Sequence, residues 1–227
     1  MPTESYEPTD RRPIASRERQ LWQKIAAFLA ARHVSPNAIS VAGLISGVAA
    51  GLLLAATRFA ENDWLQRALW LAAAAGMQLR LVANMLDGMV ALASQKASRL
   101  GELYNELPDR VSDAVVIIGA GYAVGGLPAF GYIAACIAIL TAYVRAVGKA
   151  AGASNLFVGP MAKPQRMFLL TIVALLMAAL PGSWQPSWGD QHAGLATVGL
   201  ALIIVGGLLT VLRRLTLIVR HLQGLKR

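Results

Sequence analysis

Long apolar runs alternate with short polar segments along most of this chain. About 20 predominantly apolar residues are needed for a helix to cross a bilayer. Residues 114–144 carry no charge and are too long for one span, so the Gly-Gly-Leu-Pro sequence at 125–128 predicts a turn between two arms. The pattern predicts an all-α membrane protein with six transmembrane helices. Their approximate ranges are 38–56, 64–86, 103–124, 128–147, 167–180 and 193–212.

The segment before the first span has a different pattern. Between residues 21 and 31, apolar side chains recur at spacings that place them on one face of a helix. They are Leu21, Trp22, Ile25, Ala26, Phe28 and Leu29. A helix of this kind lies in the membrane surface rather than crossing it. We therefore predict an N-terminal amphipathic interfacial helix within a cytoplasmic segment that covers residues 1–35.

The composition agrees with burial in lipid. Hydrophobic residues make up 56% of the chain, charged residues make up 15%, and the mean hydropathy is +0.52. Soluble domains carry about 25% charged residues. The net charge of +9 would suit a nucleic acid, but the sequence has no basic stripe with interleaved aromatic side chains, so we expect no nucleic-acid partner. Anionic membrane lipids are the expected partners of these basic residues.

The distribution of Lys and Arg predicts the orientation in the membrane. These residues gather in the N-terminal segment, in residues 88–99 and 145–166, and in the C-terminal tail, whereas the other loops hold few. Basic loops stay on the cytoplasmic side. We therefore expect a multi-pass protein of the cell inner (plasma) membrane with cytoplasmic termini, a membrane domain at 36–220 and a basic tail at 221–227.

Acidic residues are concentrated in one part of the chain. Five of the 12 Asp and Glu residues lie between positions 87 and 113. They are Asp87, Glu102, Glu106, Asp109 and Asp113. Charged side chains at membrane depth are costly, and they usually face a polar cavity and serve a function. This region is therefore the predicted site.

Two helices are expected to bring polar side chains together in this region. Asn84 and Asp87 lie near the end of the second span, whereas Asn105, Asp109 and Asp113 are four residues apart and share one face of the third helix. Both sets lie roughly 30 Å from the outer turns of two antiparallel helices, so the two faces can meet. Oxygen ligands that converge from two helices suit a hard cation such as Mg²⁺ or Mn²⁺.

The same residues match a family motif. The stretch from position 84 to position 109 resembles the CDP-alcohol phosphatidyltransferase motif D-x2-D-G-x2-A-R-x8-G-x3-D-x3-D, with the spacing kept at every position. Segments 33–40, 141–145 and 159–166 also resemble the family's bacterial members, so the resemblance extends from about residue 21 to the end. The motif residues kept in this chain are Asp87, Gly88, Ala91, Gly101 and Asp109.

The resemblance implies a fold and a reaction. The fold would be a six-helix bundle with a polar cavity open to the cytoplasm, and family members commonly form homodimers. The reaction would transfer a phosphatidyl-type group from a CDP-linked lipid, such as CDP-diacylglycerol, to an alcohol acceptor with release of CMP. The acceptor alcohol would be plain or phosphorylated. The expected place of this enzyme is phospholipid biosynthesis.

The resemblance also implies roles for individual residues. Asp109 matches the catalytic general base that takes the proton of the acceptor alcohol. The positions that match metal ligands, for Mg²⁺ or Mn²⁺, are Asn84, Asp87, Asn105 and Asp109. The positions that match the donor nucleotide and diphosphate site are Asn37, Gly88, Ala91 and Gly101. The basic residues that could hold a phosphate of the acceptor or of a lipid headgroup are Arg145, Lys163 and Arg166.

Three motif positions depart from the family pattern. Asn84 and Asn105 stand where the family has Asp, and Leu92 stands where it has Arg. The resemblance implies a pair of divalent cations, but Asn supplies a neutral oxygen, so the site loses two negative charges. The alternatives are then one cation, or two with Glu102 or Glu106 as an additional ligand. The departures favour a second function, that of a non-catalytic relative acting as a lipid-binding or assembly partner. A small transporter is disfavoured, because we find neither broken helices nor an internal repeat.

The site residues also have structural explanations. Asp109 and Asp113 could pair with Arg80, Arg99 or Arg110 and stabilise the bundle. The two Asn residues could form hydrogen bonds between helices, and the three basic residues named above could be ordinary residues of a cytoplasmic loop. An active transferase is the interpretation we prefer.

Overall fold

The computed structural model describes residues 19–95, 99–154, 157–181, 185–189 and 193–224, and for residues 99–105 it describes the backbone alone. The described part folds into helices, with no β-strand within it. The helices are α1 (Gln20–Ala31), α2 (Pro36–Ala56), α3 (Asp63–Ala93), α4 (Arg99–Tyr122), α5 (Pro128–Ala150), α6 (Lys163–Ala179) and α7 (Leu195–Gly224). The all-α class predicted from the sequence is confirmed.

Four of these helices are long and apolar enough to cross a membrane, namely α2, α3, α5 and α7. The other two predicted spans correspond to α4 and α6. Helix α4 carries the charged side chains of the predicted site, and α6 has 17 residues. The charged residues of α4 make it too polar, and the 17 residues of α6 make it too short, for either helix to qualify as a simple apolar span.

Helix α1 covers the segment predicted to be amphipathic. Its buried residue Ala26 packs with Leu86 and Val90 of α3. The same contact explains one wrong prediction from the sequence, because residues 88–99 were expected to form a polar loop. Helix α3 instead continues to Ala93, and Val90 is fully buried beside α1.

Helix α2 packs against both α3 and α4, and small residues allow the close approach. A Cβ atom on Gly119 of α4 would overlap the backbone carbonyl of Gly51 of α2. The α3 and α4 backbones have few direct contacts with each other. Their side chains therefore meet across a space that α2 borders.

The turn between α4 and α5 lies where the sequence predicts it. Gly125 has a φ of +71°, a conformation that glycine adopts without steric cost. Its carbonyl oxygen accepts hydrogen bonds from Gly194 N at 2.8 Å and Thr197 Oγ1 at 2.8 Å, which ties the turn to the start of α7. An apolar core lies next to this end of the bundle. Its large buried members include Leu54, Trp70, Ile117, Met177 and Leu200.

Candidate active site

A polar cleft lies between α2, α3 and α4, toward the end of the bundle that is opposite the Gly125 turn. Helix α2 supplies its second turn, α3 its last half, and α4 its first half. The cleft is lined by Ser40, Gly43, Leu44, Arg80, Asn84, Asp87, Pro108 and Asp109. Three of the predicted site residues therefore border one cleft.

The side chain of Asp87, on α3, is held by a hydrogen bond from helix α2. This side chain is 3% exposed, and its Oδ2 accepts a hydrogen bond from Ser40 Oγ at 2.8 Å. The backbone N–H of Gly88 donates to the other carboxylate oxygen. Burial without partners would be costly for a carboxylate, and these donors offset part of that cost.

Asp109 joins three helices. Its Oδ2 accepts a hydrogen bond from Asn84 Nδ2 of α3 at 2.8 Å, and the same oxygen forms an ion pair with Lys163 of α6. Lys163 Nζ also donates to Asn84 Oδ1 at 2.8 Å. The polar faces of α3 and α4 thus meet as the sequence predicts, with a basic residue of α6 between them.

Arg80 forms the floor of the cleft. This side chain is 1% exposed, and its Nε donates to Ser112 Oγ at 2.6 Å. Its Nη2 lies 2.6 Å from Asp113 Oδ1 and 3.4 Å from Asp109 Oδ1. Gly47 of α2 makes room for it, because a Cβ atom there would lie 2.7 Å from Arg80 Cδ.

Asp113 lies deeper and belongs to a buried ion-pair network. Its Oδ1 contacts Arg80, and its Oδ2 accepts from Arg166 Nη2 at 3.1 Å. Arg166 is 1% exposed and also donates to the carbonyl oxygen of Met161 at 3.0 Å. The expected pairing of the two α4 aspartates with Arg80 is therefore present.

Arg145 belongs to a separate cluster at the exposed edge of α4. Its Nη2 donates to Glu106 Oε1 at 2.6 Å, and Glu106 also pairs with Arg110. The guanidinium carbon of Arg145 lies 5.2 Å from the centre of the Phe157 ring. The partner of Arg110 in this cluster is thus Glu106, which lies one turn before Asp109.

The predicted donor-site residues Asn37, Gly88 and Ala91 lie on α2 and α3 but are not among the residues that line the cleft. Asn37 is exposed on the first turn of α2, three residues before Ser40. Gly88 and Ala91 are half-buried on the part of α3 that follows Asp87. The predicted positions 101 and 105 lie on the α4 backbone, and the side chain of the predicted ligand Asn105 is outside the described residues.

Sequence reasoning did not assign a site role to two polar residues that line the cleft, Ser40 and Arg80. Arg80 had a signal, because it is a charged residue deep in an apolar run. Ser40 had a weaker one, since Ser40, Gly43 and Gly47 follow at helical spacing and mark a polar and small face of α2.

The donor set of the cleft consists of oxygen atoms. Two carboxylates, from Asp87 and Asp109, and the side-chain amide of Asn84 border the same space. Such donors fit one hard divalent cation of the Mg²⁺ or Mn²⁺ type. No group of three His, Cys, Asp or Glu side chains that could hold a metal occurs among the residues that the structure describes.

This chain is similar in sequence to an archaeal protein and to a bacterial protein. Archaetidylinositol phosphate synthase of Pyrococcus horikoshii is 26% identical over 171 residues, which is 74% of this chain and 84% of that protein. Inner membrane protein YnbA of Escherichia coli is 25% identical over 171 residues, which is 75% of this chain and 81% of that protein.

Crystal structures of the phosphatidylinositol phosphate synthase of Mycobacterium tuberculosis share the fold. The structure with CDP-DAG bound has a TM-score of 0.68 and 19% identity, covering 88% of this chain and 94% of that one. The structure with manganese and citrate has a TM-score of 0.68 and 20% identity, covering 87% and 88%.

The family model for CDP-alcohol phosphatidyltransferases matches residues 33–212. This range includes all the residues that line the cleft and both basic residues of α6 described above. Because the match spans well over half of the 227 residues, the protein belongs to the CDP-alcohol phosphatidyltransferase family.

Proposed function

We propose that this protein transfers a phosphatidyl-type group from a CDP-linked lipid to an alcohol acceptor and releases CMP, as a step of phospholipid biosynthesis. The observation that carries the proposal is the cleft in which the motif residues Asn84, Asp87 and Asp109 lie together. Membership of the family supplies the reaction class. The Mycobacterium tuberculosis synthase with CDP-DAG bound supports a CDP-linked lipid as the donor.

In the proposed reaction, the hydroxyl oxygen of the acceptor attacks the lipid-side phosphorus of the donor's diphosphate. The bond from that phosphorus to the bridging oxygen breaks, and CMP leaves with the bonding electron pair. The acceptor's proton passes to Asp109. The Asp109 side chain is 14% exposed, and its Oδ1 has a long 3.4 Å contact with Arg80, which favours this oxygen as the proton acceptor.

Asp87 and Asp109 would hold a divalent cation, Mg²⁺ or Mn²⁺, and Asn84 lies at the third ligand position of the motif. When bound, such a cation neutralises the diphosphate and makes CMP a better leaving group. The manganese-containing structure of the Mycobacterium tuberculosis synthase supports this assignment. Asn105 is the fourth ligand position that we propose from the motif.

We propose that the acceptor carries a phosphate, held by Arg145, Lys163 and Arg166. Two of the similar proteins are synthases whose names specify an inositol phosphate lipid, which supports a phosphorylated acceptor. Arg145 is the most exposed of the three, with its side chain 19% exposed in the cluster beside α4. Arg166 is buried on Asp113 and would act from below the acceptor phosphate.

The proposed setting is the inner membrane. We propose that α4 and α6 complete six transmembrane helices, that α1 lies in the membrane surface, and that the termini and the cleft face the cytoplasm. The name of the Escherichia coli relative supports an inner-membrane location. We further propose that the protein works as a homodimer.

The test is release of CMP from CDP-diacylglycerol by the purified full-length protein, with Mg²⁺ or Mn²⁺ and a panel of plain and phosphorylated alcohols. Asp109→Asn should lower the rate by about 10²–10⁴-fold, the usual contribution of a general base. The matched control is Asp63→Asn, which removes an exposed carboxylate at the other end of the bundle and should leave the rate unchanged.

Two outcomes would contradict the proposal. Full activity of Asp109→Asn, in protein with unchanged helical content by circular dichroism, would remove Asp109 as the base. If the folded wild-type protein releases no CMP with any acceptor, the chain is a non-catalytic relative that binds lipid or assembles with a partner.

A further inference from the structure

A lysine occupies the place between the two motif helices. Lys163 Nζ forms an ion pair with Asp109 Oδ2 of α4 and donates to Asn84 Oδ1 of α3 at 2.8 Å. The Lys163 side chain is 13% exposed, so its ammonium lies largely away from solvent. A positive charge from α6 thus lies between two oxygen atoms at motif positions that the family resemblance assigns to a metal.

The position of this ammonium is fixed by the segment that leads into α6. Lys163 is the first residue of α6, and Pro164 in the first turn sets the direction of the helix. The preceding residue pair is anchored too, because Met161 N donates to Thr210 Oγ1 of α7 at 3.0 Å and Met161 O accepts from Arg166. The backbone at the start of α6 is therefore anchored, and the Lys163 ammonium is held by its contacts with Asp109 and Asn84.

Among the charged side chains described in and below the cleft, positive and negative charges are equal in number without an added ion. Three cationic side chains face three carboxylates there. The cations are Arg80, Lys163 and Arg166, and the carboxylates are Asp87, Asp109 and Asp113. At positions 84 and 105 the family motif has Asp, whereas this chain has neutral Asn. A second divalent cation would therefore meet two fewer negative charges and a nearby ammonium, and like charges this close repel strongly in a poorly solvated site.

We infer that Lys163 is a built-in replacement for one of two metal ions, so that this chain holds a single divalent cation, bound through Asp87 and through the Asp109 oxygen opposite to the one that Lys163 contacts. The inference rests on the proposed function, since it concerns the metal of the same site. Asn84 suits this arrangement, because its amide oxygen accepts from the ammonium while its amide nitrogen donates to Asp109. An Asp at position 84 would instead add a negative charge, which could hold a second cation only once the Lys163 ammonium was removed.

The test counts bound metal and does not depend on activity. Mn²⁺ is titrated into the purified full-length protein in detergent without nucleotide, and free Mn²⁺ is followed by its electron paramagnetic resonance signal. The wild-type chain should bind one Mn²⁺. Lys163→Met keeps the length of the apolar stem but removes the charge, and it should bind its first Mn²⁺ at least tenfold more tightly. Lys163→Met combined with Asn84→Asp should bind two.

A matched control and a second variant keep the test decisive. Lys149→Met removes one positive charge from an exposed position near the end of α5, and it should leave both the count and the affinity unchanged. If Lys163→Met does not fold, Asn84→Asp alone gives the answer. With the ammonium still in place, this variant should continue to bind one Mn²⁺, and two would overturn the inference.

The inference and the proposed function can fail separately. Binding of two Mn²⁺ or of none by the wild-type chain, or an unchanged affinity in Lys163→Met, overturns the role of Lys163 even if CMP is released. One Mn²⁺ per chain without CMP release supports the built-in cation and contradicts the transferase.

Discussion

The two halves of helix α3 bury side chains of opposite chemistry. Trp70 is 1% exposed within the apolar core, and Asp87, 17 residues further along, is 3% exposed beside Ser40. At 1.5 Å per residue the two lie about 25 Å apart along the helix. Helix α2 shows the same division, with Leu54 in the core and Ser40 in the cleft. In each of these helices, one half thus packs in the apolar core and the other half lines the polar cleft.

The difference lies in what holds each half together. The apolar half depends on the area removed from its surroundings and on close packing, so the loss of one contact leaves a cavity. The charged half depends on matched partners, because a buried charge without its partner costs more than a buried cavity. Removing a single charge should therefore lower the stability of the charged half. Substitutions should change the rate of CMP release only when they lie in that half.

The largest effect on stability is expected at Asp113, which bridges two buried arginines, Arg80 and Arg166. Asp113→Asn keeps the shape but removes the charge, leaving Arg166 without a carboxylate partner among the described contacts. We expect a loss of about 3–5 kcal/mol in the free energy of unfolding, the usual cost of removing one member of a buried pair. Denaturant unfolding in detergent, followed by circular dichroism, measures it.

Glu61→Gln is the matched control for this prediction. It also replaces a carboxylate by an amide, but at an exposed position before α3, and it should change stability by little. If Asp113→Asn unfolds at the same denaturant concentration as the control, the ion pairs do not stabilise the charged half, and the proposed contrast between the two halves is wrong.

The sequence predicted the apolar half better than the charged half. Lipid-length apolar runs and the turn at 125–128 follow from composition and from glycine and proline, which act locally. Helical geometry also predicted that the polar faces of α3 and α4 would meet, because both lie at a similar depth on two antiparallel helices. These predictions needed no knowledge of the rest of the fold.

The inward direction of Lys163 and Arg166 could not be predicted in the same way. A basic residue at the end of an apolar run fits a loop facing the cytoplasm as well as an ion pair. Its partners here, Asp109 and Asp113, are more than 50 residues away in the chain, so no local pattern contains the contact. The continuation of α3 to Ala93 was missed for a related reason, because it depends on packing against α1.

In the apolar half, Leu54→Ala should cost about 2–5 kcal/mol of unfolding free energy, because the side chain is 1% exposed and its removal leaves a cavity. The rate of CMP release per folded molecule should stay unchanged. Leu52→Ala is the control on the same helix, since Leu52 is 64% exposed on the surface of the bundle. An equal loss in both variants, or a slower reaction in Leu54→Ala, would show that the two halves are not independent.

The smallest effect is expected at Thr57, a polar residue that is fully buried at the apolar end. Its Oγ1 donates to Leu54 O at 2.6 Å and accepts a hydrogen bond from Val124 N at 3.1 Å, which connects α2 to the turn after α4. Thr57→Val keeps the shape and leaves the Val124 N–H without this acceptor. A buried donor left unsatisfied costs about 1–3 kcal/mol.

Thr216→Val is the control for the first of the two hydrogen bonds of Thr57, the one that the hydroxyl donates to a backbone carbonyl oxygen. Thr216 Oγ1 donates to Leu212 O within α7 at 2.9 Å, at an exposed position, so its loss should cost little. Hydrogen exchange of the Val124 amide should become faster in Thr57→Val and stay the same in Thr216→Val. Unchanged exchange in both would mean that the turn is held by the contacts of Gly125 with α7 alone, and that the apolar half needs packing but no polar partner.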